Sequence, residues 1–97
     1  MDAALKFVKA SAEKKQPFLA VIWNLAPHSP FLATEEDRRP YAHLPEKEQH
    51  YWGQITNIDK NVGRLRKALR EHGIAQNTLV FFTSDNGPWL VRNLHGG

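Results

Sequence analysis

The chain has no cysteine, which removes disulfides, thiolate zinc sites and a cysteine nucleophile from these 97 residues. It also lacks any apolar run near the roughly 20 residues that a membrane-spanning helix needs. Its first residues, Met1-Asp2-Ala3-Ala4-Leu5-Lys6, are charged and helix-like and have no apolar leader core. Charge of one sign is scarce: 13 Lys and Arg against 10 Asp and Glu leave a formal net charge of +3. So small an excess does not make a case for nucleic-acid binding. The densest basic group, Lys60, Arg64, Arg66, Lys67 and Arg70, falls on one amphipathic segment and reads as a solvated helix face. Internal repeats and low-complexity tracts are absent too. Hydrophobic residues at 41% and charged residues at 24% are globular usage, so one small packed domain is expected.

Along the chain, Asp2 is placed to cap a first helix on which Leu5, Val8 and Ala12 recur at helical spacing, widened by Ala4 and Phe7. Lys14 and Lys15 fall in its last turn, where cations suit the helix dipole, and Gln16-Pro17 breaks the pattern. Residues 18–23, FLAVIW, form an apolar run of strand length without alternation. That predicts a strand covered on both faces, as in a parallel sheet. Residues 24–45 read as a loop punctuated by Pro27, Pro30, Pro40 and Pro45, of a length that often accompanies function. Residues 46–72 predict one long helix: Ile55, Ile58, Val62, Leu65 and Leu69 step by 3, 4, 3 and 4, and Tyr51 and Trp52 extend the stripe upstream. Gly73 supplies a left-handed end. Gly53 and Gly63 interrupt the helix, and close packing against a sheet is the expected reason. Residues 79–82, LVFF, predict a second buried strand, followed by loop from residue 85 to 97.

This order is one βαβ unit with a leading helix, an α/β slice of a parallel-sheet domain. A right-handed crossover makes both strands point the same way, and open α/β sheets carry their sites beyond the carboxyl ends of the strands. His28 follows the first strand and Asp85-Asn86 the second, so both are expected at one rim of the sheet. Asp85 and Asn86 offer oxygen ligands suited to a hard cation; Asp-Asn-Gly is equally an ordinary turn. His28, between Pro27 and Pro30, is expected in an extended, stiffened loop. It can contact an oxyanion or donate a proton, or be a plain surface histidine. His43, His50, His72 and His95 have no metal-ligand spacing, with His50 and His72 read as solvated. Asp59 reads as structural. Arg38, Arg39 and Tyr41 are candidates for carbohydrate or aryl contact, with solvent exposure the competing reading.

Residues 17–30, PFLAVIWNLAPHSP, resemble the sulfatase segment that ends in an Ala-Pro-His loop. Residues 55–88, ITNIDKNVGRLRKALREHGIAQNTLVFFTSDNGP, resemble the family's next stretch, in the same order and spacing. The resemblance implies an alkaline-phosphatase-like fold and sulfate-ester hydrolysis with one Ca²⁺ held by four side chains. Asp85 and Asn86 match two of those ligands. His28 matches the catalytic, substrate-binding histidine that contacts the sulfate ester. The family's formylglycine motif, Cys/Ser-x-Pro/Ala-x-Arg, does not occur in these residues, nor do the acidic pair that completes the metal site and the Gly-Lys-Gly segment. The expectation is therefore a single partial domain, residues 1–97, taken from a catalytic domain. Alone it would hold Ca²⁺ weakly or not at all, hydrolyse nothing, and tend to self-associate through open sheet edges. The resemblance also implies a periplasmic, secreted or lysosomal parent. Two alternatives stay open: a phosphatase or phosphodiesterase of the same superfamily, which has zinc-binding His where this chain has Asn86, and a non-catalytic α/β binding module.

Overall fold

The computed structural model describes residues 1–85. Among them the regular elements are α1 (Asp2–Glu13), α2 (Glu35–Arg38), a 3-10 turn at Arg39–Tyr41, α3 (Glu46–Glu71) and a second 3-10 turn at Ala75–Asn77. The long α3 is the spine, and every other helical element packs on it.

In α1 the N-cap is Met1 and not Asp2. Asp2 lies in the first turn, where negative charge suits the helix dipole, and its carboxylate pairs with Arg64 of α3. Val8 and Ser11 form the buried face of α1. Phe7 is half-exposed, its ring edge-on to Phe18 with centroids 5.7 Å apart. Lys14 and Lys15 lie just past the helix, Lys15 with a φ of 52°.

The 26-residue α3 begins directly after Pro45 and ends within a residue of the predicted limit. His72 caps it and Gly73 takes a φ of +69°. The Gly73 N–H donates to Arg70 O and the Ile74 N–H to Leu69 O, both at 3.0 Å. This double bond pattern satisfies carbonyls that a helix end otherwise leaves open, and its left-handed residue is best served by glycine. Of the predicted stripe Tyr51 and Leu69 are buried; Trp52, Ile55, Ile58, Val62 and Leu65 are half-buried. Gly53 is closely packed as expected, but against the α2 region and not a sheet: a Cβ there would sit 2.7 Å from Ala33 Cβ. Gly63 meets nothing within 4 Å.

The predicted βαβ slice of a parallel-sheet domain is not what the described residues form. No strand occurs among them, and residues 18–23 and 79–82 are irregular chain. Leu19 is 86% exposed, Trp23 87% and Phe81 82%. The physical reason is that a strand is completed by its neighbour. Its N–H and C=O groups need a partner backbone, and no backbone hydrogen bond joins the two runs among the described residues. The unbroken apolar pattern predicts cover on both faces, and residues 1–85 do not supply that cover. The described fold is helical, and the sheet rim expected to gather His28 and Asp85 is absent from it.

The stretch 24–45, read as structureless, contains α2. Thr34 is its N-cap: the hydroxyl accepts from the Asp37 N–H at 3.2 Å and donates to Asp37 Oδ2 at 3.0 Å. Asp37 is itself buried. Its carboxylate accepts from Asn57 Nδ2 at 3.1 Å and from Lys60 Nζ at 2.6 Å, so α2 is tied to the middle of α3.

Candidate functional site

The segment leading to His28 is a turn, not the extended loop expected. The His28 N–H donates to Leu25 O at 2.9 Å, which closes the chain around Ala26 and Pro27. The Ala26–Pro27 and Ser29–Pro30 peptide bonds are both cis. The imidazole is exposed, and its Nδ1 lies 2.6 Å from the Ser29 carbonyl oxygen. A carbonyl oxygen only accepts, so Nδ1 carries the proton and donates. In the neutral ring this leaves Nε2 with the lone pair. The group can accept a proton there, and once charged it can donate to an oxyanion.

Asp85 is exposed at a bend at the end of the second apolar segment. Its carboxylate makes no ion pair among the described residues. An exposed carboxylate is a hard oxygen donor and fits Ca²⁺ chemistry as one ligand of the six to eight such an ion takes. Asn86, its predicted companion, lies outside the described residues. Among those residues no group of three or more His, Asp or Glu is arranged to hold a metal ion. No hydrogen bond or ion pair joins His28 to Asp85; each is held by its own segment.

The stretch that follows His28 is fastened to α3. Phe31 packs edge-on to Tyr51, centroids 5.3 Å apart, with Lys47 Nζ 5.9 Å from the Phe31 ring centre. Burial raises the Tyr51 phenol above its ordinary value. Gln54 Nε2 donates to Leu32 O at 3.3 Å, the Ala33 N–H donates to His50 Nδ1 at 3.0 Å, and Gln49 Nε2 donates to Leu44 O at 2.7 Å. The Tyr41 and Thr56 hydroxyls share a bond of 2.8 Å. Tyr41 is thus engaged in holding the loop. Arg38 and Arg39 line a cavity of about 230 Å³ together with Glu35, Ala42 and Gln49.

Charge reinforces this arrangement. The Lys60 ammonium, with help from Asn57 and Thr34, holds the Asp37 carboxyl below the usual carboxylate range against the opposing effect of burial. Asp37 and then Glu36 raise Lys60 in turn. The Arg64 guanidinium lowers Asp2. Sequence reasoning missed His50 and Asp37, whose partners lie 17 and more than 19 residues away. For Asp37 a signal existed: Thr34-Glu35-Glu36-Asp37 is a helix-start pattern. Asp59, expected to be structural, is exposed.

Comparison with known proteins gives one consistent result. The family model described as Sulfatase matches residues 1–97. The chain is 34% identical over 92 residues to N-acetylgalactosamine-6-sulfatase of Canis lupus familiaris, covering 94% of this chain and 16% of that protein. It is 31% identical over 91 residues to arylsulfatase G of Mus musculus, again covering 94% and 16%. With the uncharacterized sulfatase YdeN of Escherichia coli it shares 28% identity over 88 residues, covering 89% and 16%. The chain therefore spans about 16% of the length of these relatives. No solved structure matches it.

Proposed function

Because this chain belongs to the sulfatase family, we propose that it supplies the sulfate-contacting histidine and part of the Ca²⁺ site of a sulfuric ester hydrolase. His28 takes the contact with the ester. Its Nδ1 lies 2.6 Å from the Ser29 carbonyl oxygen, which can only accept and so leaves Nε2 for the ester, and this contact is the observation that carries the reading. Protonated at Nε2, the ring donates to an ester oxygen and stabilises charge that develops on it. Asp85 and Asn86 are the metal ligands that this chain contributes. When bound, Ca²⁺ would neutralise negative charge on the sulfate oxygens. The substrate class is a sulfate ester, as the names of the relatives suggest for those proteins. A secreted, periplasmic or lysosomal setting goes with that reading.

The 97 residues alone are inactive on this proposal. They contain no cysteine and no Ser-x-Pro/Ala-x-Arg motif, so they carry no precursor of the formylglycine nucleophile. Left open, the exposed runs at 18–23 and 79–82 make the isolated chain self-associate.

The test is made in a full-length protein that contains these residues. His28→Ala should lower kcat on an aryl sulfate by about 10²-fold or more, the usual scale for an acid–base or oxyanion contact. Asp85→Ala should raise the Ca²⁺ concentration needed for half-maximal activity. Unchanged activity in both variants would show a binding module instead. Aryl sulfate turnover that follows the purified 97-mer would overturn the inactivity.

A further inference from the structure

We propose that His50 is an acid-released clasp: the neutral ring fastens the chain at Ala33 to α3, and a proton on the ring lets go of it. This clasp is independent of the roles given to His28 and Asp85.

Ala33 meets α3 where the helix has no side chain. A Cβ on Gly53 would lie 2.7 Å from Ala33 Cβ and 3.3 Å from the Asp37 carbonyl carbon, so the Ala33 methyl is seated on a bare helix face. One turn earlier on the same helix, His50 takes hold of the same residue. Its Nδ1 accepts the Ala33 N–H at 3.0 Å. A backbone N–H only donates, so Nδ1 presents a lone pair and carries no proton. The proton of the neutral ring is therefore on Nε2, which faces Arg38 Nη1 at 3.3 Å. Ala33 directly precedes Thr34, the N-cap of α2, so this bond sets the entry of the chain into that helix.

A second proton undoes the arrangement. An imidazolium has an N–H on both nitrogens and no acceptor, so Nδ1 then meets the Ala33 N–H donor to donor. The new charge also faces the Arg38 guanidinium, which is always charged, and like charges this close oppose each other. No acid offsets that repulsion. The loop turns the Ala33 N–H to the ring and α2 turns Arg38 to it. Glu36 and Asp37 of α2 are both paired with Lys60. Glu35 of α2, and Glu46 one turn before His50 on α3, form no ion pair with the ring among the described residues. Arg39, the C-cap of α2, and Lys47 on α3 are positive as well.

The clasp holds only the neutral ring. It is therefore complete above the imidazole range, about pH 6–7, and is lost as pH falls through that range. His50 is half-buried, so a proton reaches it without unfolding of the chain. The other fastenings of the segment use no imidazole: Phe31 on Tyr51, Gln54 to Leu32 O, and Asp37 to Lys60. Release is thus confined to the chain at Ala33, while α2 and α3 stay joined.

The experiment is NMR of the 97-residue chain between pH 8 and pH 5, at a concentration where it is monomeric. Two signals report on Ala33: the protection of its amide from exchange, relative to an unstructured chain at the same pH, and the nuclear Overhauser effect between its methyl and Gly53 Hα. Protection should fall about tenfold on acidification, the scale of one hydrogen bond of this kind. The Overhauser effect should weaken with it, while the amides of Val62 and Leu65 within α3 keep their protection. His50→Asn places a non-titrating oxygen near the position of Nδ1, and His50→Leu has no acceptor at all. In both the dependence on pH should disappear, whether or not the asparagine oxygen reaches the amide. Ala33 protection that does not change with pH in the native chain overturns the clasp. So does an equal decline in either variant, or a decline shared by Val62 and Leu65.

Discussion

Lys60 Nζ lies 2.6 Å from Asp37 Oδ1, an ion pair that joins the middle of α3 to a carboxylate only 5% exposed. Asp37 also receives Asn57 Nδ2 and the Thr34 hydroxyl. One buried side chain therefore closes the N-cap of α2 and fastens the whole 24–45 segment to the spine. Asp37→Ala strands the Asn57 amide and removes the partner of Lys60. The expected loss is about 1–3 kcal/mol, toward the lower end because Lys60 is half-exposed and its charge is screened. Urea unfolding of the variant against the native chain measures it.

The same pair sets a pH dependence. The folded-state pKa of Asp37 is below its ordinary value of 3.8. Its contribution is thus complete above 3.8 and is lost as pH falls through the lower folded value. The pKa of Lys60 is raised above 10.5, so its contribution is complete below 10.5 and is lost as pH rises through the higher folded value. Unfolding midpoints measured across pH should decline at both ends, and Asp37→Asn should flatten both limbs.

Two glycines of α3 should respond in opposite directions to the same substitution. Gly53→Ala puts a Cβ 2.7 Å from Ala33 Cβ and 3.3 Å from the Asp37 carbonyl carbon. Overpacking of this kind costs about 1–3 kcal/mol. Gly63→Ala meets nothing within 4 Å and should stabilise the helix by about 1 kcal/mol. Thermal unfolding of the two variants decides the matter; Gly53→Ala at least as stable as the native chain would contradict the packing described.

Exposed apolar chain should make the isolated protein associate. Leu19 is 86% exposed, Trp23 87%, Leu25 90% and Phe81 82%. Sedimentation velocity should show mass rising with concentration, and Trp23→Ser with Phe81→Ser should reduce that rise. A native chain that stays monomeric at high concentration would rule association out.

The long helix was legible because its information is local. The 3, 4, 3 and 4 spacing from Ile55 to Leu69 and the glycine at 73 placed α3 within a residue of its observed end. The short α2 was legible in principle from Thr34-Glu35-Glu36-Asp37, but the prolines around it pointed to a loop. His28 was recognised as a candidate from its neighbours, while its tautomer depended on where the Ser29 carbonyl lies. Asp85 is a candidate on the same kind of local signal, and Asn86 lies outside the described residues.

By itself, the sequence determined the two longer helices, α1 and α3, the family and the chemical types of the candidate groups. A helix closes its hydrogen bonds within its own segment, so its pattern can be read from a single stretch of chain. The tertiary structure alone decided that Asp37 is buried, that His50 turns a second donor toward Arg38, and that residues 18–23 and 79–82 are not strands in the described chain. Each of these depends on a partner distant in sequence, and a strand without its neighbouring strand has no hydrogen-bonding reason to form.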